Sequence, residues 1–144
     1  MKLTKFLINK DNYNIYFEKG VFAPTATTTF LITAFLKNKK KIYNKNILDL
    51  GCGSGIISIV INKKFKKNKF FASDVSIKAF NCTNKNFKYH KVNGLVKIGS
   101  LFYPWKNLKF NYILNDVSGV SDIIAKKSKW FKKIPSNSGS DGTK

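Results

Sequence analysis

Arginine is absent from this chain. All 27 basic residues among its 144 are lysine, against seven acids, for a formal net charge of +20. A nucleic-acid site built on bidentate guanidinium contacts is thereby excluded. Lysine still contacts phosphate as a point charge, and the charge strengthens non-specific binding at low salt. Sixteen residues are asparagine. Lysine, asparagine, isoleucine and phenylalanine are the residues of A/T-rich codons, so coding bias is a sufficient source for much of the charge. The basic surface permits a nucleic-acid partner without arguing for one. Cysteine is scarce too. Cys52 and Cys82 form no disulfide framework and no metal-ligand spacing, so no metal is expected. The single histidine, His90, stands at the end of an expected helix and reads as a solvated surface residue. Long hydrophobic runs are also missing. Met1 to Lys10 lacks the apolar core of a signal peptide, and the stretch around Phe30 to Leu36 is far short of a membrane span. These absences predict a chain of the reducing cytoplasm with no membrane partner.

What is present suffices for one globular domain, with 43% hydrophobic residues to build its core. Alternation around Tyr13-Asn14-Ile15-Tyr16-Phe17 predicts a hairpin or extended arm over residues 3–22. Phe30, Leu31, Ala34 and Phe35 fall at helical spacing within Ala26 to Lys37, with Thr25 or Thr27 as cap. From there strands and helices alternate. The strands are expected at Asn46 to Leu50, Lys69 to Ser73, Val96 to Ile98 and Lys109 to Leu114. The helices are expected at Gly55 to Phe65, Ser76 to Phe87 and Ser121 to Lys127. Such alternation predicts an α/β fold with a parallel sheet. Three segments follow: an N-terminal arm and helix over 1–45, an α/β core over 46–134, and a tail of loop composition over 135–144.

One motif carries chemistry. Asp49-Leu50-Gly51-Cys52-Gly53-Ser54-Gly55 follows the apolar pair Ile47-Leu48 and precedes a helical run. Glycines spaced in this way let a ligand approach bare backbone at the helix N-terminus. The dinucleotide fingerprint requires a third glycine at position 56, where Ile56 stands, and no Gly-Lys-Ser/Thr follows as a P-loop requires. Asp74 ends the next strand, 25 residues after Asp49. An acid at that strand tip hydrogen-bonds ribose hydroxyls in open α/β sheets. The same carboxylate can also cap the helix that follows, and both readings can hold together.

The Asp49 to Gly55 turn resembles motif I of the class I S-adenosylmethionine (SAM)-dependent methyltransferases. The resemblance covers roughly residues 13 to 143. Val21-Phe22-Ala23-Pro24-Thr25 with Thr28 is similar to the segment preceding motif I in the small-domain group that contains the release-factor glutamine methyltransferases. Asp74-Val75-Ser76 with Ala79 and Asn86 is similar to that group's second strand and helix. Gly99-Ser100-Leu101-Phe102 is similar to its G-D-L-F, with serine in place of the acid. The resemblance implies a Rossmann-like methyltransferase fold with SAM as cofactor. Gly51, Cys52, Gly53 and Gly55 would seat its methionine portion, and Asp49 would lie near the amino group. Asp74 would hold the ribose, Val75 beside it would also touch the cofactor, and Ser100 and Leu101 would flank the adenine. Asn115 falls where the group carries the asparagine of N-P-P-Y, which grips a planar nitrogen near the methyl. Here the sequence reads Asn115-Asp116-Val117-Ser118, without the prolines and tyrosine. Asn115 is therefore the candidate for orienting an attacking nitrogen, and Asp116 for accepting a hydrogen bond from a substrate amine. The plainer reading of Asn115 is a strand-end turn residue. Trp130-Phe131 reads first as packing on the sheet and second as a stacking surface, and Trp105 as packing.

The implied substrate is a nitrogen of protein or RNA. The competing reading is a non-catalytic SAM-binding or basic nucleic-acid-binding chain. The family's sheet has seven strands in the order 3-2-1-4-5-7-6, and the sequence offers four. The expectation is a chain truncated after the fourth strand, whose open edge aggregates or pairs with a second copy as a homodimer.

Overall fold

The computed structural model describes residues 1–39, 41–117 and 120–127. The elements in order are β1 (Lys2–Ile8), β2 (Asp11–Phe17), α1 (Ala26–Asn38), β3 (Asn46–Leu50), α2 (Ile56–Lys64), β4 (Lys69–Asp74), α3 (Ile77–Tyr89), β5 (Gly94–Ile98), β6 (Tyr112–Asn115) and α4 (Asp122–Lys127). β3 to β6 form a sheet in the order β5-β4-β3-β6, with every neighbouring pair parallel. In core numbering this is 3-2-1-4, the order the resemblance implies for the first four strands. The tail over 135–144 and the pair Trp130-Phe131 lie outside the described residues.

β3 is central and covered on both faces. Ile47 and Asp49 point to one side, Leu48 and Leu50 to the other, and all four are buried. Burial on both faces explains why the strand reads as an apolar run rather than an alternation. The Ile47 side holds the main core. Phe70, Ala72 and Leu114 of the flanking strands meet Ile57, Val60 and Ile61 of α2. α2 is buried along Ile56 to Asn62, because α1 lies beside it and the hairpin shares its core. A helix apolar on all sides is stable only when enclosed in this way. The other face of the sheet has thinner cover among the described residues. Leu48, Leu50 and Phe71 pack on Trp105 and Phe110, with the Phe71 and Trp105 rings edge to face at 5.4 Å. Trp105 is thus packing, as expected.

β1 and β2 form the expected hairpin, closed by a two-residue loop in which Asn9 and Lys10 both have positive φ. That is the loop whose twist matches paired strands. Ile8, Tyr13 and Ile15 are buried in the same cluster as α2. The fourth core strand starts later than the sequence predicts. Phe110 turns onto Trp105 and Phe71, and Asn111 exchanges hydrogen bonds with Asn46 (2.9 Å each) before pairing begins at Tyr112.

Candidate functional site

β3 and β4 end side by side, with Leu50 opposite Ser73. The chain then turns across both tips through Gly51, Gly53 and Gly55, whose φ values are 65°, 54° and 77°. Three left-handed residues in five explain the spacing, since other side chains pay for that conformation with a Cβ–carbonyl clash. The turn is fixed by its own amides. Gly51 and Cys52 both donate to the Ser73 carbonyl (2.9 and 3.0 Å), and Gly55 donates to the Cys52 carbonyl (2.7 Å). The bare sides of the three glycines meet different things. A Cβ at Gly51 would overlap the Val117 side chain, and one at Gly55 would come within 2.9 Å of Thr83 on α3. At Gly53 the nearest atom is the Phe22 carbonyl, 3.6 Å away. Gly55 therefore serves the packing of α2 on α3, and Gly53 presents the open backbone.

Two carboxylates frame the turn. Asp49 is fully buried on β3, and its Oδ2 accepts from the Ser58 hydroxyl (2.8 Å) and backbone amide (3.3 Å). Its Oδ1 is buried with no donor among the described residues. Burial raises the Asp49 pKa to about 7, the Ser58 hydrogen bonds oppose the rise, and the charges of Asp74 and Asp116 add to it. Asp74 stands at the tip of β4. Its Oδ2 accepts from the Gly53 amide (2.9 Å) and its Oδ1 from the Ser76 amide (2.9 Å), while Ser76 caps α3. One carboxylate thus braces the glycine turn and the start of the next helix, so the capping reading is part of the geometry. Val75 beside it is half-exposed. Cys52 is buried, with Thr83 donating to its sulfur (3.3 Å), and burial pushes its thiol well up. That thiol is unsuited to nucleophilic work.

Ser100 and Leu101 form an exposed turn after β5, Leu101 in the left-handed region with φ 43°. The turn hangs on the same strand tip. Gly99 donates to the Asp74 carbonyl (3.0 Å), and the Ser73 hydroxyl reaches the Leu101 carbonyl (3.5 Å). Asp74, Val75, Ser100 and Leu101 are thereby brought together at one rim.

The β6 tip is arranged otherwise. Asn115 pairs with Leu50 at the end of the sheet and is exposed. Its Oδ1 accepts from the Val117 amide (3.0 Å), which is the strand-end turn geometry. Asp116 is half-buried, and its Oδ2 accepts from the Thr28 hydroxyl at 2.5 Å. Thr28 is buried and also accepts from the Thr25 amide (3.0 Å), within a capping box at the start of α1.

Four residues that position this site were given no role by the sequence. Ser58 holds Asp49. Thr83 holds the turn through the Gly53 carbonyl (3.0 Å). Thr28 holds Asp116. Asn86, fully buried, donates to the carbonyls of Tyr16 (2.8 Å) and Ser54 (2.9 Å) and accepts from the Tyr16 amide (2.7 Å), tying the hairpin to the glycine turn. Ser58 lies nine residues after Asp49 and could have been sought as a donor for a buried acid. The other three contacts cross 30 to 88 residues of sequence.

Comparison with known proteins gives the family and the fold. A family model described as the methyltransferase small domain matches residues 12–116. The chain belongs to that family. The release factor glutamine methyltransferase of Dictyoglomus turgidum is 33% identical over 118 residues, 77% of this chain and 42% of that protein. The ribosomal protein L11 methyltransferase of Thermotoga maritima is 28% identical over 118 residues, 82% of this chain and 38% of that protein. The chain spans less than half the length of these relatives. Among solved structures, a 16S rRNA methyltransferase of T. Thermophilus in complex with AdoMet and guanosine superposes with a TM-score of 0.70. That match covers 93% of this chain and 39% of that one at 12% identity, which establishes the fold alone. The small-domain family has the class I SAM-dependent methyltransferase architecture, here carried by the parallel sheet and its glycine turn.

Proposed function

We propose that the rim formed by β3, β4 and β5 binds SAM and that the chain serves methyl transfer to a nitrogen of a protein or RNA. The observation that carries the reading is a pair of carboxylates around a glycine turn, one with a buried oxygen lacking a donor. An ammonium group suits Asp49 Oδ1, because a buried acceptor without a partner is costly by about 1–3 kcal/mol. Asp74 presents a carboxylate at the position suited to ribose hydroxyls. Gly53 leaves backbone bare beside it, and Val75, Ser100 and Leu101 supply the surface for an adenine. When bound, the cofactor supplies an electrophilic methyl on a sulfonium. The chain itself supplies position. Asn115 orients an attacking nitrogen through the second lone pair of its oxygen, the first being taken by the Val117 amide. Asp116, held by Thr28, is placed to accept a hydrogen bond from an attacking amine. Free buried thiols at Cys52 and Cys82 suit a reducing cytoplasm. Among the described residues no helix is long and apolar enough to cross a membrane. A second copy pairing along β6 is the assembly we infer, because β3 is its one partner strand among the described residues and Ile113 on it is half-exposed. Incubation with SAM labelled in the methyl group, with bulk protein and bulk RNA as separate acceptors, tests the function. Transfer that is lost in Asp74→Ala supports it. Saturable SAM binding without transfer to any acceptor leaves a cofactor-binding chain and overturns the enzyme.

A further inference from the structure

A second recess lies away from the glycine turn. α2 leads from that turn back toward the opposite end of the strands, so Asn62 near its end stands about 9 Å further along the helix than Ile56. There a groove of about 490 Å³ opens between β2 and the last turns of α2 and α3. The hairpin closes over it through His90, whose Nε2 lies 2.9 Å from the Asn14 carbonyl, so this histidine has a structural contact as well as solvent. Asn62 lines the groove at 7% exposure, and its side-chain amide has no hydrogen-bond partner among the described residues. The amide is not fully enclosed, so it faces the groove with its donors and acceptor free for a ligand. Tyr89 lines the same groove half-exposed, with its ring edge to face against His90 at 4.9 Å and Tyr16 at 5.3 Å. Lys63 and Lys66 complete the wall, and both are exposed. Asp11 is the one carboxylate near them among the described residues, 3.9 Å from Lys63.

We infer that this groove is a docking site for a nucleotide of a single-stranded nucleic acid. Amides, an aromatic ring and ammonium groups in one recess match the three parts of a nucleotide. The Asn62 amide offers a donor and an acceptor to a base edge. Tyr89 offers a stacking surface, and Lys63 and Lys66 offer charge to phosphates. An acidic peptide uses the lysines and leaves the ring and the Asn62 amide idle. An apolar ligand leaves the amide unsatisfied. This site stands apart from the methyl-transfer reading, and its test needs neither cofactor nor turnover.

The test is fluorescence polarisation of the full chain with a short labelled single strand, made as RNA and as DNA of one sequence, with heparin as a base-free polyanion. Lys63→Glu with Lys66→Glu lowers affinity for the strand by at least roughly tenfold. The same reversal at exposed Lys126 and Lys127 on α4 lowers it by less than about threefold. Tyr89→Ala lowers affinity for the strand by about fivefold or more and leaves heparin unchanged, while Tyr89→Phe restores it. A preference for RNA over DNA identifies the 2′-hydroxyl as part of recognition, and equal binding assigns the groove to either strand. Equal losses from the two lysine pairs would overturn the proposal, as would displacement of the strand by polyglutamate at equal charge. Should Tyr89→Ala unfold, the exposed lysine pairs decide alone.

Discussion

The two ends of the site are held in different ways. At the tips of β3 and β4, Asp49 and Asp74 are secured within the consecutive run from β3 to α3: Ser58 on the helix that follows Asp49, the Gly53 amide 21 residues before Asp74, Ser76 two residues after it, and Thr83 on the Gly53 carbonyl. At the tip of β6, Asp116 is secured by Thr28, which is 88 residues away on α1. The first arrangement is two consecutive strand–helix units that brace one another. The second depends on a remote helix cap. The cofactor rim should therefore tolerate damage to α1, and the acceptor rim should not.

The largest break in that contrast is Gly53→Val. A β-branched residue at φ 54° is strained, and its side chain fills the open backbone. SAM affinity falls by more than about 100-fold in calorimetry, a loss near 3 kcal/mol. Asp74→Ala follows. It removes the acceptor of two backbone amides and the expected ribose contact, and weakens SAM by about ten- to 100-fold, in line with hydrogen bonds to a charged group. Thr28→Val sharpens the comparison from the other side. It deletes the donor to Asp116 and leaves the cofactor rim intact, so transfer slows by about tenfold while SAM affinity changes by less than about twofold. A matched loss of SAM affinity in Thr28→Val would show that the two rims are one unit.

The smallest effect is on pH. Asp49 titrates near 7 in the folded chain, well above the usual carboxylate range. The folded state then keeps a proton that the unfolded chain has released. This group's contribution to stability is present in acid and lost as pH rises through about 7. Asp49→Asn flattens that decline in urea melts taken across the range. An ammonium ligand favours the ionised form, so SAM affinity climbs toward neutrality and levels above it. The same variant binds weakly with no such climb.

The contrast also explains what could be read in advance. Gly51, Gly53 and Asp74 are legible because backbone conformation and strand-tip geometry demand those residue types locally. The order of the four core strands is legible for the same reason, through the alternation of elements. Gly55 is legible as a glycine, while its packing against Thr83 is not, because α3 returns to the turn only in three dimensions. Asn115 has an orienting role by resemblance and a strand-end turn role by residue type, and the bond its oxygen accepts from the Val117 amide is that turn. The start of β6 was misplaced because Phe110 has strand composition and is used instead to cover Trp105. Thr28 and Asn86 stand out in the sequence only by resemblance, which gives them no role, and the folded chain shows them buried against their partners.

Titration of the intact chain with SAM in a calorimeter, with Asp74→Ala run beside it, bears most directly on the β3–β4 rim as a cofactor site. A single saturable heat that weakens at least about tenfold in the variant is the predicted result. No heat from the folded protein, or equal heats from both, would contradict it.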